Sequence, residues 1–111
     1  MSNERRVVNE VTGGAKGAKD QQFSLIPADS LWALAEHFHK GAVKYGEARN
    51  WEKGTAWSLN FDAAQRHMWQ WYMGQDCDEE TGSSHLIAAA WHMFVLFHFA
   101  TTPPELDDRG K

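Results

Sequence analysis

The sequence predicts an all-α fold, three main helices in a small bundle that is completed by oligomerisation. Three observations carry this expectation. Apolar residues recur at helical spacing in three segments, each preceded by a capping residue and followed by Gly or Pro. The third segment is apolar nearly all round, which is the pattern of a helix buried on several sides. Finally, 111 residues that are 42% hydrophobic, with six Trp, six Phe and two Tyr, carry more aromatic surface than so short a chain readily buries alone.

Residues 1–22 are charged, contain Gly13, Gly14 and Gly17, and show no period, so a flexible N-terminal arm is expected there. The helical domain is expected over residues 23–103. Phe23, Leu25 and Ile26 make a short apolar anchor ended by Pro27. Asp29-Ser30 reads as an N-cap signature, and Leu31, Leu34, Ala35, Phe38, Ala42 and Tyr45 then fall at helical spacing, giving a first helix over residues 28–45. Gly46 is placed to end it. The stretch EARNWEKGTAW, residues 47–57, has no clean period and is expected to be an irregular loop. Ser58 or Asn60 can cap a second helix, with Phe61, Ala64, Met68 and Trp71 or Tyr72 on one stripe, that stops at Gly74. After the acidic run, Ser83 or Ser84 caps a third helix over residues 85–101, and Pro103-Pro104 stops it. Residues 104–111 read as a solvated acidic tail. No strand is expected.

Composition excludes several functions. A net charge of −4 opposes non-specific binding to a DNA or RNA polymer, which needs a positive field. The most apolar stretch, residues 86–100, would be ~22 Å long as a helix. That is too short for a hydrocarbon core of ~30 Å, and His92 and His98 interrupt it, so no membrane partner is expected. A single cysteine, Cys77, forbids an intramolecular disulfide, and the N-terminus is polar, so a cytoplasmic protein is expected.

Three groups of residues could carry chemistry. The run QDCDEETGSSH, residues 75–85, puts four carboxylates ahead of the third helix. They suit the positive end of that helix. Equally, Asp76, Asp78 and Glu79 could hold Mg²⁺, because hard cations take clustered oxygens. The histidines form the second group. His85 and His92 share a helix face but lie ~10.5 Å apart along it, so they cannot both bind one ion. His67 on the second helix could meet one of them across the interhelix gap, with Asp76 or Asp78 as a third ligand. The plainer alternative is that His67 and His92 are buried and hydrogen-bonded. In the third group, Lys40, Lys44, Arg49, Lys53 and Arg66 are interleaved with Tyr45, Trp51, Trp57 and Trp69. Cations suit phosphate and flat rings suit a nucleobase, although a solvated helix face beside core aromatics would look the same. No Ser-His-Asp, Cys-His or His-Glu-x-x-His set is present, nor the carboxylate set of helical nucleotide pyrophosphohydrolases.

The order of motifs resembles one family. Lys19-Asp20, Leu25-Ile26-Pro27, GAVKYG at residues 41–46, RNWEKG at 49–54, Trp57-Ser58, Arg66-His67, Gly74, Asp76, DEETG at 78–82, His85-Leu86 and Ala89-Ala90 are similar to the N-terminal domain of dATP/dGTP diphosphohydrolases, a small helical domain common in bacteriophage proteins. The resemblance covers about residues 19–96. It implies a helical fold, a role in phage nucleotide biology inside an infected bacterium, and functional positions at Lys44, Tyr45, Asn50, Trp51, Lys53, Arg66, His67, Asp76, Asp78, Glu79 and His85.

Arg49 joins the expected ligand-binding set from the cation and aromatic pattern. The leading expectation is an oligomer that binds a phosphorylated or cyclic nucleotide, such as a host immune signal, and sequesters it without cleavage, since 111 residues leave little room for a separate hydrolase domain. The alternatives are a Mg²⁺-dependent dATP/dGTP diphosphohydrolase and a helical protein–protein interaction module. No cofactor is required by the first, and Mg²⁺ by the second.

Overall fold

The computed structural model of the protein describes residues 4–101 and 103–110. Residues 1–3, 102 and 111, which fall in the expected arm, domain end and tail, lie outside the described residues. The order is β1 (Arg5–Val8), β2 (Ala15–Ala18), α1 (Ala28–Tyr45), α2 (Trp57–Tyr72) and α3 (His85–Phe99), with single 3-10 turns at Phe23–Leu25, Asn50–Lys53 and Pro104–Leu106.

The fold is largely helical but not all-α. The expected flexible arm contains an antiparallel hairpin, with Arg5 opposite Ala18 and Val8 opposite Ala15. Its loop is organised by Asn9, whose side-chain oxygen accepts from the backbone N–H of Val11 and of Thr12, each at 2.9 Å. This local bond is the turn chemistry that lets so short a hairpin close. Strands of four residues with largely exposed faces leave no alternation in the sequence, so the period had nothing to report.

The helices start and stop near the expected positions. α1 follows Pro27 and ends at Gly46 in the left-handed region, φ 70°. Its expected cap is different: Asp29 lies inside the first turn, where its carboxylate accepts from the Ser30 N–H at 2.7 Å and favours the helix dipole. α2 begins at Trp57, and its end is served from far along the chain. Asp108 accepts from the Ser58 N–H at 2.9 Å and from the Ser58 hydroxyl at 2.5 Å. The tail is therefore not simply solvated. It folds back so that Arg109 lies 4.6 Å from the Trp57 ring centroid, and Leu106 packs on Gly54 so closely that a Cβ there would lie 2.7 Å from its Cδ1. The acidic residue that helix α2 lacks in its first turn is thus supplied by the tail.

α3 packs against both α1 and α2. Small residues allow the close approach, because Ala64 of α2 and Ala88 and Ala89 of α3 are buried, together with Leu34, Val95 and Phe99. The core also holds polar side chains, His37, Ser83 and His85. Outside it, Phe94 and Phe97 of α3 and Trp69 and Tyr72 of α2 remain more than half exposed. The radius of gyration is 18.5 Å, against about 13 Å for a compact domain near this length. Among the described residues, no helix is long and apolar enough to cross a membrane.

Candidate functional site

Two neighbouring features occupy the space between the helices. The first is a cavity of about 310 Å³ bounded by α1, α2, α3 and the loop that follows α1. Tyr45, Asn50, Trp51, Asn60, Arg66 and His92 are among its lining residues. Trp51 is held edge-on by Phe38, at a centroid distance of 6.1 Å, and by His98 at 5.1 Å. Its ring is therefore fixed before any ligand arrives. Trp91 also lines the cavity, and its buried Nε1–H has no protein partner among the described residues.

Four of the sequence-expected ligand residues, Tyr45, Asn50, Trp51 and Arg66, thus share one cavity. The other cations do not. Lys44 pairs with Glu80 at 2.6 Å, Lys53 with Glu47 at 2.5 Å and Arg49 with Glu52, all on the exposed surface. Lys40 meets Glu36 at 3.5 Å. Arg66 is different. Among the described residues it has no carboxylate partner, so its charge is available at the cavity. Glu80 is answered by Lys44, and Asp78 by the Thr81 hydroxyl and N–H, at 2.9 and 3.0 Å.

The second feature is a chain of histidines. His92 lines the cavity, and its ring stacks on that of His67 with centroids 5.8 Å apart and planes 22° apart. His67 Nδ1 lies 2.9 Å from His85 Nδ1. On its other side, His85 Nε2 is 2.8 Å from the Gln75 side-chain oxygen, which makes Nε2 the donor. His92 Nδ1 likewise donates to Asn60 Oδ1 at 2.7 Å. Further along, Ser83 Oγ is 2.8 Å from His37 Nδ1 and accepts from Lys40 Nζ at 3.0 Å, tying α1 to the loop before α3.

The loop before α3 places the carboxylate. Gly74 and Gly82 adopt φ of 106° and 75°, values that side-chain-bearing residues rarely take, so the chain reverses at both ends of the acidic run. The Asp78 N–H donates to the Ser83 carbonyl at 2.8 Å, and the His85 N–H to the Asp76 carbonyl at 2.9 Å. Ser84 caps α3 by accepting from the Leu86 N–H at 3.2 Å. As a result Asp78 joins His67 and His85, and one ligand atom from each lies within 4.8 Å of the others. Asp76 and Glu79 are exposed and stand outside that group.

Electrostatics follow from this burial. Desolvation lowers the pKa of His37, His67 and His92, the last from 6.5 to about 4, with neighbouring cations and histidines adding to the effect. Burial pushes the Asp78 carboxyl upward, but the Thr81 hydrogen bonds and the nearby His67 and His85 outweigh it, and the carboxyl stays below the usual value. Around neutral pH the site therefore combines the neutral imidazoles of His67 and His92, an ionised Asp78 and a guanidinium that has no carboxylate partner among the described residues.

Sequence reasoning missed Asn60, Gln75, Ser83 and Trp91. Asn60 and Ala63 precede His67 by seven and four residues, the spacing of one helix face, and that period was the available signal for Asn60. Gln75 and Ser83 are loop residues whose partners are set by the fold, and no spacing announces them.

Comparison with known proteins agrees with the motif order. The family described as dATP/dGTP diphosphohydrolase, N-terminal, matches residues 10–109. A protein of Salmonella phage PMBT28 named dATP/dGTP diphosphohydrolase is 34% identical over 86 residues, which is 78% of this chain and 29% of that protein. The chain therefore spans less than a third of that relative's length. No solved structure matches. From the matched span, which takes in the cavity residues, the acidic loop and the histidines alike, the chain belongs to the family of dATP/dGTP diphosphohydrolase N-terminal domains.

Proposed function

We propose that this chain binds a purine nucleoside phosphate in the cavity between its three helices. The observation that carries the proposal is that Tyr45, Asn50, Trp51 and Arg66, which has no carboxylate partner among the described residues, line one cavity. A fixed indole and a phenol offer flat faces to a base, the Asn50 amide can read its polar edge, and Arg66 holds the phosphate. A volume near 310 Å³ sits at the lower end of small-molecule sites, so the ligand is a single nucleotide and not a polymer. The name of the phage relative favours adenine and guanine deoxynucleotides among the candidates. On this reading the chain retains its ligand, and sequestration is the outcome when nothing else acts on it.

Hydrolysis is the second reading. The relative's name and the His67–Asp78–His85 group beside the cavity favour it. One experiment separates the two. The protein is incubated with dATP, dGTP, their ribonucleotides and cyclic purine dinucleotides, then denatured, and the released species are identified. Intact ligand means binding alone, and a shortened phosphate chain means catalysis. Arg66→Ala should weaken binding tenfold or more, because a charge-assisted hydrogen bond contributes about 1.5–3 kcal/mol. Unchanged affinity in calorimetry would remove Arg66 from the site.

A further inference from the structure

His67, Asp78 and His85 come from three different segments, and each brings one ligand atom into the same small space. A hydrogen bond between the two imidazoles accounts for the 2.9 Å approach of their Nδ1 atoms but not for the carboxylate beside them. Nor does it account for how each member is oriented. His85 is gripped at its far nitrogen by Gln75, which turns Nδ1 towards His67. Asp78 has one oxygen, Oδ2, occupied by both Thr81 donors, which leaves Oδ1 open. His67 is flanked by the ring of His92, itself fixed by Asn60. Partners that fix the far side of each group are the usual supporting shell of a metal ligand.

We infer that His67, Asp78 and His85 are the protein ligands of one divalent transition-metal ion. Two imidazole nitrogens and one carboxylate oxygen suit the series from Mn²⁺ to Zn²⁺ better than Mg²⁺, which takes oxygen ligands and retains water. Nitrogens bound at ~2.05 Å are ~2.9 Å apart at a right angle and ~3.3 Å apart at a tetrahedral one. The observed 2.9 Å is close to both values, and three protein ligands leave further positions of the ion open. Two ligands of one ion are at most ~4.2 Å apart at such bond lengths, and the three atoms already lie within 4.8 Å of one another, so only a small closure is needed as the ion enters. His92, whose ring stacks on that of His67, also lines the cavity and so connects the two features.

Metal alone is the probe, with no nucleotide present, so the outcome is independent of what the cavity holds. Chelator-treated full-length protein is titrated with Co²⁺ and followed by its visible d–d absorption, then with Zn²⁺ and Mn²⁺ by calorimetry. The expected result is one ion per chain, a nitrogen–oxygen spectrum without a thiolate charge-transfer band, and no displacement by excess Mg²⁺. His85→Ala and Asp78→Asn should abolish stoichiometric binding. Asp78→Asn lies in a loop and keeps a hydrogen-bond acceptor for Thr81, so it decides the matter if His85→Ala fails to fold. Gln75→Ala retains all three ligands and should weaken binding about 10–100-fold, while far-UV circular dichroism stays near that of the parent and metal-free melting falls by a few degrees, as expected for an unpartnered His85 N–H. Cys77→Ser should change nothing. Absence of stoichiometric binding, or binding that survives Asp78→Asn, or binding lost with Cys77, would overturn the assignment.

Discussion

Replacing Ser83 with alanine removes one oxygen atom and should destabilise the protein well beyond an average surface change. Ser83 is 8% exposed, and its hydroxyl lies 2.8 Å from Nδ1 of His37, which is equally buried. Desolvation first, with Lys40 and His67 adding to it, favours neutral His37, whose Nδ1 shares a hydrogen bond with the Ser83 hydroxyl while that oxygen also accepts from Lys40. The variant leaves the imidazole nitrogen buried without a partner, at a cost of about 1–3 kcal/mol. Lys40 loses less, since its ammonium is partly exposed and keeps Glu36 at 3.5 Å. For a domain of this size each kcal/mol lowers Tm by roughly 4–8 °C, so a fall of at least about 4 °C is expected. Urea unfolding should show a lower midpoint with an unchanged slope. Ser84→Ala makes a useful comparison, because it removes only the α3 cap and should cost about 1 kcal/mol. A Ser83→Ala protein as stable as its parent would refute the account of the His37–Ser83–Lys40 contact.

Two other expectations concern the whole molecule. Stability should fall as pH drops from 6.5 towards 4, because unfolded histidines take up protons there while His92, His67 and His37, depressed chiefly by burial, do not. The contribution is fully present above 6.5 and is lost below it. Melting in chelator between pH 7 and 5 tests this, with a flat Tm refuting it, and His92→Gln should flatten the slope. The exposed rings of α3, with Phe97 at 85%, and the extended shape support assembly of this chain with copies of itself. Light scattering should give a homo-oligomer at micromolar concentration that Phe97→Glu dissociates, and a monomeric parent would sink the idea.

Local chemistry made the helices legible from sequence. The first helix was expected over residues 28–45 and is found there, because a Pro start, a Gly stop and a 3.6-residue period all act within the segment itself. The start of α3 after Ser84 was legible for the same reason. The possibility that His67 meets His85 with a loop carboxylate was also visible, since helical spacing ruled out His85 and His92 sharing an ion. The sequence could not choose Asp78 over Asp76. That depends on where a loop reverses, and only the positive φ at Gly74 and Gly82, with the Thr81 donors, turns the Asp78 carboxylate inward. Which cation was left free was equally hidden. Lys44, Arg49 and Lys53 looked as suitable as Arg66 until the fold brought Glu80, Glu52 and Glu47 to them. The hairpin escaped because four-residue exposed strands have no period, and the Asp108 contact escaped because it joins residues fifty apart. Periodicity records which face of an element meets the core, and pairing between distant polar groups leaves no such record, so the sequence determined the helices and the tertiary structure decided the site.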